Sequence, residues 1–188
     1  MNKSNNPSAI RSKNEITTAL LHLMEQYPYS DITVKQIVLE AGIAHKTFYR
    51  NFDSKNDVLD AYINRIMIDY VEQLKNLKNC KMPDILDVIF AFCQEYQTLL
   101  ILLYNNNLLH ILLNKWNTFI PEVHEEIVTT DKPFYQKYNT LNVSYILAFN
   151  IGSIWNIITK WIANDMKETP EEIKYTIIAY LKDIAFFI

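Results

Sequence analysis

Residues 33–55 read TVKQIVLEAGIAHKTFYRNFDSK, and the rest of the chain makes sense as a platform for this stretch. Thr33 followed three residues later by Gln36 has the form of a capping box, in which hydroxyl and carboxamide satisfy each other's backbone amides. Val34, Ile37, Val38 and Ala41 then recur at helical spacing, which predicts a short helix with one buried face. Gly42 stops it, because glycine enters the left-handed region at a helix C-terminus without a side-chain clash. It is one of only two glycines in 188 residues. A second short helix follows, with Phe48 and Phe52 one turn apart on its inner face. Its other faces carry His45, Lys46, Thr47, Tyr49, Arg50 and Asn51. Two short helices joined by a tight glycine turn, the second rich in donors and cations, predict a helix-turn-helix.

Outward from this core, a helix over about Ile10–Tyr27 places Ile16, Leu20, Leu23, Met24 and Tyr27 on one stripe, and Pro28 ends it. Its role is to cover the two short helices and complete a three-helix domain. After them, Ser54 with Asp57 three residues on opens a long fourth helix that runs to about Leu77 and connects head to body. The formal net charge is −3, but it is unevenly spread. Residues 1–55 hold seven basic residues, Lys3, Arg11 and Lys13 among them, against five acidic ones, and residues 56–188 hold 11 against 16. A basic head on an acidic body is the asymmetry of a chain that meets phosphate at one end.

With Thr33-Val34, Ile37, Ala41-Gly42-Ile43, Thr47-Phe48-Tyr49, Phe52 and Ser54-Lys55, the chain resembles the TetR family of bacterial transcriptional regulators over roughly residues 10–65. It departs from the family's pattern at Pro28, where glycine is frequent, and at Ala44-His45-Lys46, where serine is frequent. The second departure leaves the base preference unreadable. The resemblance implies that Thr33, Thr47, Tyr49 and Lys55 meet DNA phosphate, that Lys35, His45 and Lys46 reach base edges, and that Arg50 and Asn51 share the exposed face. It also implies an effector-binding body.

The boundaries expected are 1–55 for the DNA-binding head and 56–188 for an effector-binding and dimerisation domain, with helix 54–77 between them. In the body, Pro83 suits the first turn of a helix. Residues 98–128 hold one or two helices broken near Asn105–Asn107, with Pro121 as a kink or stop, and 129–139 reads as a loop. The helix over about 140–164 is the most apolar, and its Gly152 predicts close approach of another helix backbone. Thr169-Pro170-Glu171-Glu172 is a complete helix start. The fold class expected is all-α, with about nine helices. Residues 145–172 look like the C-terminal part of one TetR-type subgroup, which implies a four-helix dimer interface from the last two helices, with Ile154, Trp161, Ile177, Leu181 and Ile184 on it.

Cys80 and Cys93 stand alone, and the four histidines form no ligand set with them, so neither a metal nor a cofactor is expected. No nucleophile elbow, HExxH pair or glycine-rich phosphate loop exists, so no catalytic residue is assigned. No uninterrupted apolar run reaches the length of a membrane span and no secretory leader is visible, so a cytoplasmic protein without a membrane partner is expected. Phe92, Tyr96, His110, Trp116, Asn150 and Trp155 mix apolar walls with a few polar groups, the composition of a small-molecule site between helices. The expectation is a homodimer that binds double-stranded operator DNA and is released by a small-molecule effector. An activator of the same build, or a helical dimeric ligand-binding or interaction protein that no longer binds DNA, is the alternative.

Overall fold

The computed structural model describes residues 7–77, 81–128 and 142–187, the side chains of 126–128 and 184–187 excepted. Every regular element among them is helical: α1 (Pro7–Gln26), a 3-10 turn (Tyr29–Asp31), α2 (Val34–Glu40), α3 (His45–Asn51), α4 (Lys55–Lys75), α5 (Met82–Glu95), α6 (Gln97–Asn105), α7 (Leu109–Val128), α8 (Val143–Ala163) and α9 (Pro170–Phe187). The loop expected over 129–139, together with Lys3 and Cys80, lies outside the described residues.

Contacts divide the chain into two compact units. The first runs to Met67 and includes the short segment Asn105–Asn107; the second comprises Ile68–Tyr104 and Leu108–Ile188. In the first, α1 packs on α2 and α3, and α2 on α3. Its core interleaves Ile16, Leu20 and Leu23 of α1 with Ile37, Phe48, Leu59 and Ile63, all buried. Tyr27, expected on the same stripe as Leu20, is instead 45% exposed, because α1 ends at Gln26.

In the second unit α7 packs on α8 and α5 on α9. Tyr96 separates α5 from α6, which are bent by 74° at this break. The turn after α6 places Asn107 at φ 57°, a left-handed residue that asparagine tolerates. Pro121 neither ends nor divides its helix: it sits inside α7. The start of α9 is built as its sequence predicts, with Thr169 Oγ1 accepting the Glu172 N–H at 3.2 Å and Glu172 Oε2 accepting the Thr169 N–H at 2.8 Å. Those bonds hold the Glu172 carboxyl below its ordinary pKa. A Lys174–Asp87 ion pair ties α9 to α5.

α8 is 21 residues long with a mean hydropathy of 1.3, enough by length and composition to cross a membrane. Its apolarity has two destinations. Ile151, Ile158, Trp161 and Ile162 enter the core, while Tyr145 and Phe149 stand 74% and 71% exposed. Among the described residues, no other element comes within 4 Å of a Cβ placed at Gly152, so the close approach expected at that glycine is not made by a described helix of this chain.

Candidate nucleic-acid interface and ligand cavity

The helix-turn-helix is assembled by local bonds that its sequence specifies. Thr33 Oγ1 accepts the Gln36 N–H at 3.3 Å, and Gln36 Oε1 accepts the Thr33 N–H at 2.8 Å, closing the capping box of α2. At the other end, Gly42 takes φ +64°. Its N–H donates to the Leu39 carbonyl and that of Ile43 to the Val38 carbonyl, at 3.2 and 3.0 Å. This paired closure is a Schellman ending, and it sets the direction in which the chain enters α3.

α3 is oriented by its apolar face. Phe48 is fully buried and its ring lies 6.2 Å from that of Phe52. With those rings inward, His45, Lys46, Tyr49 and Arg50 are left exposed, as is Lys35 on α2. The Tyr49 ring meets Phe48 edge-on at 5.4 Å, so its hydroxyl projects from a braced ring. Thr47 is half-buried and its carbonyl accepts from Asn51 Nδ2 at 2.8 Å. The exposed cations face solvent without a carboxylate in α3 itself. A surface of this kind can meet phosphate oxygens and base-edge acceptors.

Two residues expected on phosphate are used differently. The Thr33 hydroxyl proton goes to Gln36 Oε1 at 2.7 Å, inside the capping box. Lys55 is the larger correction. Its ammonium donates to the carbonyls of Tyr29, Ser30 and Ile32 at 2.5, 3.0 and 2.8 Å, and sits 4.6 Å from the Tyr29 ring centroid. An ammonium has three hydrogens, so all are spent. Burial lowers the Lys55 pKa, with the Asp31 charge working against it. The side chain therefore pins the first turn of α4 to the segment that leads into Thr33.

Tyr29 is the hub of that junction, and nothing in its local sequence singled it out. Its N–H donates to Asn106 Oδ1 at 2.7 Å and its hydroxyl to Asn56 Oδ1 at 2.7 Å. Burial, aided by the Asp57 charge, pushes its phenol up to about 12. Asn106 lies 77 residues away in sequence, so only tertiary structure reveals the contact.

The second unit contains an apolar cavity of about 150 Å³ among α4, α5, α7 and α8. Tyr70, Leu74, Ile85 and Ile89 form part of the wall; Trp116, His124, Leu147 and Asn150 form the rest. Of the six residues expected at such a site, Trp116 and Asn150 line it. The other four do not. Phe92 and Tyr96 continue an aromatic chain behind Tyr70, with centroids 5.1 and 5.0 Å apart, and Trp155 meets Trp116 edge-on at 5.6 Å. His110 is exposed on α7. Tyr70 and His124 were missed because their placement depends on how α4 and α7 pack. Tyr70 is fully buried, which raises its pKa and keeps the phenol protonated, and burial lowers that of His124 against the charge of Glu125.

The residues expected at a dimer interface separate likewise. Trp161 is withdrawn from it: the ring is buried within its own chain, edge-on to Phe90, and Nε1 donates to the Glu168 carbonyl at 2.9 Å. Ile154 lines the cavity, Ile177 is half-buried and Leu181 is exposed; the Ile184 side chain lies outside the described residues. The large exposed rings on these two helices are instead Tyr145, Phe149, Tyr175 and Tyr180.

Comparison with known proteins agrees with this architecture. Residues 16–62 match the family described as bacterial regulatory proteins, tetR family, and residues 80–183 match a transcriptional regulator C-terminal region. The uncharacterized HTH-type transcriptional regulator YvdT of Bacillus subtilis (strain 168) is 20% identical over 178 residues, covering 89% of this chain and 92% of that protein. Two solved structures share the fold: the dihydroxyacetone kinase operon activator DhaS and the fatty acid degradation regulator FadR from Bacillus halodurans. DhaS superposes with a TM-score of 0.59 at 20% identity, covering 93% of this chain and 96% of its own. FadR gives a TM-score of 0.65 at 18% identity, covering 93% and 94%. With a tetR-type helix-turn-helix at its head and a regulator C-terminal region over most of the remainder, the chain belongs to the TetR family of bacterial transcriptional regulators.

Proposed function

We propose that this regulator is a cytoplasmic homodimeric repressor that holds operator DNA through α3 and releases it when a small molecule occupies the cavity of the second unit. The observation that carries the DNA reading is the exposed His45, Lys46, Tyr49 and Arg50 on a helix whose other face is locked by Phe48. Lys46 and His45 are assigned to base edges, with Lys35 beside them, and Tyr49, Arg50 and Thr47 to phosphate.

The open face of α8 supports the dimer. Tyr145, Phe149, Gly152 and Asn156 recur at helical spacing on it. Its polar groups fold back on their own helix, Ser153 Oγ donating to the Phe149 carbonyl at 2.8 Å and Asn156 Nδ2 to the Gly152 carbonyl at 2.7 Å. The face therefore presents the exposed Tyr145 and Phe149 rings beside Gly152, with its Ser153 and Asn156 side chains turned back toward the helix backbone, which suits a second copy of the same helix.

The test is selection of bound duplexes from a random pool at stated salt, followed by anisotropy titration. The expected product is a pseudo-palindrome with half-site centres roughly 34–36 Å apart. Recovery of single, non-symmetric half-sites would overturn the dimeric reading. A promoter fusion carrying the selected site decides the sign, since deletion of the regulator raises expression for a repressor and lowers it for an activator.

A further inference from the structure

We infer that the cavity of the second unit takes a small uncharged molecule with an apolar body and one hydrogen-bond acceptor oxygen, which is received by Trp116 Nε1. This deepens the ligand-responsive reading above and rests on it. The first observation is an orphan. Trp116 is 3% exposed and is one of the lining residues of the cavity, while its Nε1–H is buried without an acceptor, so a ligand oxygen meets it as the side chains around it give way. A buried donor with no partner is costly, and an acceptor brought by a ligand removes that cost. The ring cannot readily turn toward another partner, because Tyr70 stacks on it at 5.8 Å and 17° while Trp155 abuts it at 5.6 Å.

The second observation is the charge of the wall. Among the described residues that line the cavity there is no Lys, Arg, Asp or Glu. The titratable groups are Tyr70 and His124, and burial moves both toward their neutral forms. An ion entering such a site loses its hydration and gains no counter-charge, and one hydrogen bond does not offset that loss. Carboxylates, phosphate esters and ammonium compounds are thereby disfavoured, whatever the length of their apolar part. Asn150 adds a carboxamide to a wall whose remaining residues, apart from Tyr70, Trp116 and His124, are Leu, Ile, Val and Met. The third observation is size: about 150 Å³, a volume on the order of that which accepts benzene in an engineered apolar cavity. Ketones, esters, lactones and alcohols of modest length meet all three conditions.

The experiment uses the full-length ¹⁵N-labelled protein without DNA and three probes of similar length: 2-heptanone, hexanoate and hexylammonium, at pH 7.5 and fixed salt. Three tryptophans give three indole resonances, and Trp116→Phe identifies its own by removal. The ketone is expected to bind at least tenfold tighter than either ion, with the Trp116 indole proton moving downfield as its bond forms. Trp116→Phe should bind the ketone about tenfold more weakly. Leu147→Phe, which fills the cavity from α8 and leaves the indole in place, should also weaken the ketone at least fivefold. Equal or tighter binding of either ion, an unmoved Trp116 resonance at ketone saturation, or no binding of any probe would overturn the inference. A separate operator titration distinguishes the two levels. Ketone binding in a protein that ignores DNA overturns the regulator mechanism and leaves the ligand class standing, whereas operator binding with a preference for hexanoate overturns the ligand class alone.

Discussion

Replacing Lys55 by alanine separates a structural lysine from a DNA-contacting one. The side chain donates to three carbonyls in the segment before α2, at 2.5–3.0 Å. A hydrogen bond from a charged donor contributes about 1.5–3 kcal/mol in a dry setting. Lys55 is only half-buried, so water recovers part of that, and about 1–3 kcal/mol is expected for the three bonds together. For a chain of this size each kcal/mol lowers Tm by about 2–4 °C, so the variant should melt about 2–12 °C below wild type. The salt dependence of operator binding, read as log K against log salt, should keep its slope, because no phosphate contact is lost. Lys46→Ala should behave oppositely, with a Tm near wild type and a loss of about 1–3 kcal/mol per half-site on the preferred duplex. Thermal melting and anisotropy titrations at several salt concentrations read both. If Lys55→Ala melted like wild type and flattened the slope by about 1.8, the loss of one phosphate contact in each of two heads, the internal role assigned to its ammonium would be refuted.

Gly42→Ala should destabilise the protein by about 1–2 kcal/mol, purely through the left-handed backbone, because the space around a Cβ there is open; chemical denaturation measures it. Phe149→Glu places a charge on the open face of α8 and should convert the dimer to a folded monomer by sedimentation analysis; an unchanged dimer would move the interface elsewhere. Cys93 is buried and its thiol is pushed up to about 12, so site-resolved alkylation at pH 7.5 should modify it only in denaturant. The phenol of Tyr29 is raised by folding from 10.0 to about 12, so its contribution to stability is complete below pH 10 and is lost as pH climbs toward 12. Tyr29→Phe should remove that component of the alkaline transition.

The helix-turn-helix was legible from residues 33–55 because its determinants are local. A capping box, a left-handed glycine and two phenylalanines one turn apart act within a few residues of each other, and Thr33, Gly42 and Phe48 occupy the conformations their spacing implies. The same holds for the starts of α4 and α9, where Ser54 with Asp57 and Thr169 with Glu172 make their own bonds. Side chains whose partners are distant were not legible. Lys55 has the composition of a phosphate contact and becomes an internal clamp because the 3-10 turn brings three carbonyls to it. Trp161 has the composition of an interface anchor and is buried because Phe90 and the Glu168 carbonyl claim both its face and its nitrogen. The cavity is a third such case: which of 24 aromatic residues line it depends on how α4, α5, α7 and α8 pack, and helical periodicity says only on which face of its helix a ring falls. Local hydrogen-bonding chemistry thus sets where each helix begins, stops and turns, while long-range packing decides which polar atoms have already spent their bonds, and so which remain for DNA or a ligand.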